Sequence, residues 1–272
     1  IGLGAVPAAD GTGATAASDD LPECADSAGP APPPGGAPAP GRGPACRARA
    51  SRTLQADRGL PRPAAGYHHL GATSCGEWSG VLGRIAVADA DVRPGTHDFV
   101  ATRFLAKRYA PGRIAWLEAG WAETGWSGGR QRVYTYDTTR NAWTFYDQYA
   151  VRAGDRIWIY LHTAAGGVRP VWQAWLWWSG EWHLLAAAEL PLGDRAQVEQ
   201  YVEVFVDPRH GGRGFPVPPI SLDNVQVKTH PGGGLRAWRE TVATEPAASG
   251  KRYCVDWRTH FDAWSAGDCP AA

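Results

Sequence analysis

The chain has 272 residues, which is enough for one large all-β domain or for two ordinary domains. Its 27 basic and 27 acidic side chains give a net charge of zero, so no overall field favours binding to nucleic acid or to an anionic membrane. No apolar stretch reaches the roughly 18 residues that a membrane-spanning helix needs. We therefore expect no nucleic-acid partner and no membrane span.

The first 65 residues are rich in Gly, Ala, Pro and Asp and poor in aromatic and β-branched residues. Residues 28–44 consist mainly of Gly, Pro and Ala, a composition that favours extended polyproline conformations. Such a segment cannot bury a core, so we predict that residues 1–65 form a disordered leader or stalk. Residues 1–9 read either as the tail of a signal peptide or as a linker.

The five cysteines are compatible with a disulfide-bonded, secreted protein. Cys24 and Cys46 bracket the Pro-rich segment, and Cys254 and Cys269 bracket a short C-terminal stretch, as loop-closing disulfides do in an oxidising compartment. Pairing of Cys75 with a C-terminal cysteine is an alternative, and free thiols in a cytosolic protein are another. No CxxC pair or accompanying His spacing suits zinc, so we predict no metal and no cofactor.

From residue 66 to residue 230, short runs rich in Val, Ile, Thr, Tyr and Trp are separated by Gly, Pro, Asp and Asn about every ten residues. All 14 tryptophans lie beyond residue 65, where they supply apolar area for one core. The pattern predicts one all-β domain, a concanavalin-like antiparallel β-sandwich or jelly roll. We expect residues 231–272 to be a C-terminal extension that is disulfide-linked.

Strand parity places three glutamates beside aromatic rings, because alternate residues of a strand point to opposite faces. Glu118 shares a face with Trp116. In the next acidic run, Glu199 and Glu203 flank Tyr201 on one face. Hydrolysis without a metal commonly uses two carboxyl groups, one acting as a base and one donating a proton. Glu118, Glu203 and Glu199 are therefore the predicted catalytic residues, and solvated strand glutamates are the alternative.

These glutamates have no cationic neighbour in their own runs, so we expect burial to raise a carboxyl pKa. Flat aromatic rings that face away from the core would bind substrate, either a polypeptide or a polysaccharide. The predicted substrate-binding residues are Trp116, Tyr201, Trp158, Tyr160, Trp175 and Trp177.

Two short motifs resemble those of the glutamic peptidases, the eqolisin and neprosin-like group. Residues 116–121, Trp-Leu-Glu-Ala-Gly-Trp, resemble the strand that carries a catalytic glutamine before a small residue and glycine in eqolisins, and resemble the neprosin-like Q/E-A-G-W strand more closely. Residues 199–203, Glu-Gln-Tyr-Val-Glu, resemble the eqolisin strand that holds the general-base glutamate. The register leaves Glu199, Gln200 and Glu203 open for the base position.

The resemblance extends over about residues 97–228 and implies a secreted, acid-acting peptidase. In that function Glu118 would stabilise the oxyanion and protonate the leaving amine, and one of the later glutamates would activate water. Paired carboxylates also fit a glycoside hydrolase. A non-catalytic carbohydrate-binding or cell-surface module is the alternative from a different class.

Overall fold

The computed structural model describes residues 66–110, 113–164, 169–210, 214–247, 250 and 252–270. The predicted leader, residues 1–65 with two of the five cysteines, lies outside these residues. Within them the chain forms fifteen β-strands and two single turns of 3-10 helix. The strands are β1 (Tyr67–Ser74), β2 (Gly80–Ala86), β3 (Phe99–Ala110), β4 (Arg113–Thr124), β5 (Gln131–Asp137), β6 (Ala142–Phe145), β7 (Arg156–Thr163), β8 (Val171–Trp178), β9 (Glu181–Glu189), β10 (Gln197–Phe205), β11 (Ile220–Lys228), β12 (Leu235–Ala237), β13 (Thr244–Pro246), β14 (Tyr253–Thr259) and β15 (Ala263–Asp268).

The strands form two antiparallel sheets. The first sheet has the order β13-β1-β10-β3-β4-β5-β6, and the second has the order β14-β15-β11-β2-β7-β8-β9, with β12 pairing to β11. No helix in the described part of the chain has the length and apolar character needed to cross a bilayer. The predicted all-β antiparallel sandwich is confirmed.

The core lies between the sheets and follows the alternation that the sequence predicted. Leu117, Ala119 and Trp121 of β4 are fully buried, as are Ile159 and Leu161 of β7. Each large side chain of this kind contributes about 1.5–3 kcal/mol when it leaves water. The residues of opposite parity in the first sheet therefore face away from the second sheet, and these residues form the groove described below.

Residues beyond 230 belong to both sheets. Strand β13 pairs with β1 at the edge of the first sheet, and β15 pairs with β11 in the second. The sequence placed the end of the sandwich at residue 230. Strands β12 and β13 have three residues each, too few to show alternation. Strands β14 and β15, with seven and six residues, lie in the segment that the sequence analysis described only as a disulfide-linked extension.

A disulfide joins Cys254 to Cys269 and closes the β14–β15 hairpin. The prediction that this pair is bonded is confirmed. Pairing of Cys75 with a C-terminal cysteine is wrong, because the two C-terminal cysteines bond to each other. Cys75 is itself disulfide-bonded, so the free-thiol alternative is wrong for all three of these residues.

Replacing both C-terminal cysteines, as Cys254→Ser with Cys269→Ser, removes a crosslink with a sequence separation of 15. We expect the free energy of unfolding to fall by about 3 kcal/mol, because the unfolded chain regains loop entropy. Urea unfolding followed by tryptophan fluorescence measures this change. An unchanged midpoint at an unchanged slope would show that the hairpin is stable without its disulfide.

Candidate active site

A groove of about 790 Å³ lies on the face of the first sheet that points away from the second sheet. Strands β1, β10, β3 and β4 are neighbours in that sheet, and alternate residues of each point into the groove. Charged side chains occupy its centre and aromatic rings surround them. The charged residues that line it are Arg103, Lys107, Glu118, Glu199 and Glu203.

One guanidinium bridges two carboxylates at the centre of the groove. Arg103 lies on β3, between Glu118 on β4 and Glu203 on β10. Its Nε is 2.9 Å from Oε2 of Glu118, and its Nη1 is 2.6 Å from Oε2 of Glu203. All three side chains are buried. The register of the two flanking strands thus brings both carboxyl groups to one cation.

The third glutamate has its own cation. Glu199 forms an ion pair with Lys107 through Oε1, and the same oxygen accepts a hydrogen bond of 3.0 Å from Oγ1 of Thr73. Thr73 also hydrogen-bonds the Tyr201 hydroxyl at 2.9 Å. This carboxylate is therefore held by two groups on a single oxygen.

The other carboxyl oxygens of the central pair have further partners. Tyr134 on β5 donates its hydroxyl to Oε1 of Glu118 at 3.2 Å. The Nε2 atom of His69 on β1 lies 2.8 Å from Oε1 of Glu203. Each carboxyl is thus fixed from two sides, which holds its orientation in the groove.

The surroundings separate the pKa values of these groups. Burial raises the pKa of Glu118 to about 7, although Arg103 opposes this effect. Burial acts on Glu203 as well, but Arg103 and the His69 hydrogen bond bring its pKa below the ordinary value. Lys107 and Thr73 do the same for the pKa of Glu199 against its burial. In mildly acidic solution Glu118 is therefore protonated while the other two are ionised.

The structure brings five of the predicted site residues into one groove: Glu118, Glu199, Glu203, Trp116 and Tyr201. Gln200 faces the opposite side of β10, because its parity is opposite. Its amide donates 2.9 Å to the backbone oxygen of Phe261 and accepts 2.6 Å from the Trp264 indole. Of the three residues predicted as candidates for the general base, only Glu199 and Glu203 therefore line the groove.

The other four predicted aromatic residues lie on the second sheet. Trp158 and Tyr160 of β7 pack with Leu82, and Trp175 and Trp177 of β8 pack against this group. They form a separate hydrophobic cluster and do not line the groove. Parity identifies which side chains share a face of one strand, but it does not show which strands share a sheet.

The glutamates have no cationic neighbour in their own runs, but the fold brings cations to them from another strand. Arg103 and Lys107 come from β3, more than ten residues away in sequence from each glutamate they contact. Their shared parity in a strand that is otherwise largely apolar was a usable signal. His69, Thr73 and Tyr134 carried no comparable signal, because their strands hold several polar residues and nothing in the sequence distinguishes these three from the others.

No group of three or more His, Cys, Asp or Glu side chains is placed to hold a metal ion among the residues that the structure describes.

Replacing Arg103 by Met leaves two buried carboxylates without their cation, and we expect a loss of about 3–5 kcal/mol in the free energy of unfolding at pH 8. The lowered pKa of Glu203 means that its pairing stabilises the fold above about pH 4.5 and stops doing so as the pH falls through that lowered pKa. The loss should therefore shrink at pH 4. Denaturant unfolding at both pH values measures it.

The control is Arg169→Met, which removes a cation whose ion pair with Glu189 is exposed on both sides and should change stability little. An Arg103→Met variant that is as stable as this control at pH 8 would contradict the central role of the guanidinium.

No protein-family model matches the chain, and no curated protein matches it. Among the solved structures that are similar, three each match over 74% of this chain and 98% of their own length. Scytalido-glutamic peptidase with a peptide-based transition-state analog gives a TM-score of 0.52 at 13% identity. The same peptidase with a transition-state analog inhibitor gives 0.51 at 12%. SCP-B, a member of the eqolisin family in complex with the tripeptide Ala-Ile-His, gives 0.50 at 12%.

At these identities the likeness concerns the fold alone. It confirms the resemblance that the sequence motifs indicated: this chain has a glutamic peptidase-like β-sandwich fold.

Proposed function

We propose that this protein hydrolyses peptide bonds, with Glu203 as the general base and Glu118 as the general acid. The observation that carries the proposal is that both carboxyl groups contact one buried guanidinium, that of Arg103, in an open groove. Two carboxyls whose surroundings drive their pKa values apart can take opposite roles in one reaction. Here the environment favours a protonated Glu118 and an ionised Glu203.

In the proposed reaction, a water between substrate and Glu203 gives its proton to that carboxylate and attacks the carbonyl carbon. The Glu118 hydroxyl donates a hydrogen bond to the carbonyl oxygen as negative charge develops there. Glu118 then gives its proton to the amide nitrogen as the C–N bond breaks, which releases an amine and a carboxylic acid. The proton on Glu203 passes to Glu118, so that the pair returns to its starting state. Arg103 remains charged throughout and holds the two carboxyls in register.

Glu203 suits the base better than Glu199. Glu199 is ion-paired to Lys107, a cation that it does not share with Glu118. Glu203 instead shares its cation with Glu118, and its partner His69 is partly exposed. An exposed imidazole leaves room for water beside the carboxylate.

The proposed substrate is a polypeptide outside the cell. Two of the similar structures hold a peptide-based analog or a tripeptide. The Cys254–Cys269 disulfide supports an oxidising compartment and hence secretion. We also propose that residues 1–65 are a leader separate from the sandwich that begins at residue 66, and that the sandwich continues beyond residue 230.

The proposed reaction should proceed only between two pH limits. Activity should fall above about pH 7, because Glu118 then loses the proton that it must donate. It should also fall in strong acid, as Glu203 becomes protonated below its lowered pKa. Cleavage of a denatured protein substrate from pH 2 to pH 9 measures the profile. Activity that keeps rising above pH 8 would contradict the assignment of Glu118.

Removing either carboxyl should slow cleavage about 10²–10⁴-fold, the usual range for a general acid or base. Glu203→Gln cannot accept the proton of water. Glu118→Gln still donates a hydrogen bond but cannot protonate the amine, so its residual activity should lack the decline near pH 7. The measurement is kcat at pH 5 for both variants.

The control for these variants is Glu181→Gln, which alters an exposed strand glutamate of the second sheet. Full activity in both groove variants would reject the proposed roles of Glu118 and Glu203.

A second candidate function is non-catalytic binding of a polysaccharide. The observation in its favour is that Trp116 and Tyr136 lie in the groove as a stacked pair, with ring centroids 5.4 Å apart and an interplanar angle of 24°. Such a flat surface can stack against the apolar face of a sugar ring. Moreover, all three carboxylates are already ion-paired, as in a site that binds without reacting.

A glycan array distinguishes the two functions. A binding module should bind a glycan on the array, and the Trp116→Ala variant should lose that binding. A peptidase should cleave protein at pH 5 and bind no glycan. Hydrolysis of the bound glycan would instead indicate the glycoside hydrolase that paired carboxylates also allow.

A further inference from the structure

Five aromatic side chains form a cluster at one end of the groove, which we call the aromatic end: Tyr67, Phe99, Trp126, Trp143 and Phe205. Phe99 lies at its centre, with ring centroids 5.7 Å from both Phe205 and Trp143 and 5.8 Å from Trp126. Phe99, Trp143 and Phe205 belong to a hydrophobic cluster that is separate from the main core between the sheets. Their rings therefore lie on the groove face of the first sheet.

The aromatic end holds most of the large apolar side chains that are exposed on the described part of the protein. Only three large apolar side chains of the described residues are exposed: Trp126 at 44%, Tyr67 at 38% and Leu184 at 47%. Two of these three belong to the aromatic end, and Leu184 lies on β9 of the second sheet. Exposed aromatic rings gathered at one end of a groove are typical of a binding surface.

The aromatic end also differs in charge from the centre. None of the groove-lining Arg, Lys and Glu side chains belongs to it. Glu203 lies opposite Ala101 in the strand register, and Ala101 is two residues from Phe99. The rings of His69 and His97 border the aromatic end, 6.2 Å from the Tyr67 ring and 6.4 Å from the Trp126 ring. The end therefore offers aromatic rings and two imidazoles, which suit an apolar group.

The distance from the base to the aromatic end matches the repeat of an extended peptide. Phe205 follows Glu203 by two residues on the same face of β10, which corresponds to about 7 Å. Alternate side chains of an extended substrate are also about 7 Å apart. A substrate residue within two positions of the reacting carbonyl would therefore place its side chain on Phe205 and Phe99.

We infer that the aromatic end is a subsite for one bulky apolar side chain, such as Phe or Leu, within two residues of the cleaved peptide bond. The inference rests on the proposed function, and it names the class of polypeptide that the groove would select.

The test uses two peptides that are identical except for one internal Phe or Ala. Trp126→Ala should raise the KM of the Phe peptide about tenfold or more and leave that of the Ala peptide nearly unchanged. Tyr67→Ala should act in the same direction. Both side chains are exposed, so the fold should persist, which thermal unfolding checks. Leu184→Ala is the matched control, because it removes an equally exposed apolar side chain far from the groove.

Binding to the Glu203→Gln variant separates this inference from the proposed function. Calorimetry with that variant should show tighter binding of the Phe peptide than of the Ala peptide, and adding Trp126→Ala should remove the difference. If that selectivity is found while the wild-type protein cleaves neither peptide, the subsite stands and the hydrolase proposal fails. Equal affinity for the two peptides would overturn the subsite, whether or not cleavage occurs.

Discussion

The site depends on one buried guanidinium that contacts two carboxyl groups. Removing a charge from water is costly, and a buried carboxylate is stable only where a cation and hydrogen bonds compensate it. Arg103 supplies this compensation to Glu118 and Glu203 together, while Lys107 supplies it to Glu199. With three carboxyls against two cations, one carboxyl is favoured in its neutral form. The raised pKa of Glu118 identifies that group.

This imbalance connects the fold to the proposed chemistry. The sandwich buries its apolar faces between two sheets and leaves the other face of the first sheet free to form a groove. The central strands hold their side chains rigidly, since each is hydrogen-bonded to a neighbour on both sides. A site built on such strands can hold an acid and a base within reach of one cation without relying on loops.

The groove is also asymmetric along its length. Charged groups surround Arg103, whereas rings gather around Phe99. A ligand that fits both parts must offer a polar reacting group beside an apolar one, as an extended peptide does. The stacked Trp116–Tyr136 pair in the same groove also suits a sugar ring. Aromatic rings are therefore compatible with both peptide hydrolysis and polysaccharide binding, and the two proposed functions differ in whether the carboxyl groups at the centre of the groove react.

The sequence by itself determined the fold class and the parity of the glutamates, because alternation along a strand is a local property. On this basis Glu118 was placed on one face with Trp116, and Glu199 and Glu203 on one face with Tyr201. The disulfide between Cys254 and Cys269 was one of the pairings that the cysteine spacing allowed. Only the tertiary structure decided which strands are neighbours. That choice brought Arg103 and Lys107 to the glutamates, moved Trp158, Tyr160, Trp175 and Trp177 to the other sheet, and added strands beyond residue 230. The physical reason is that strand pairing joins residues distant in sequence, which no local pattern specifies.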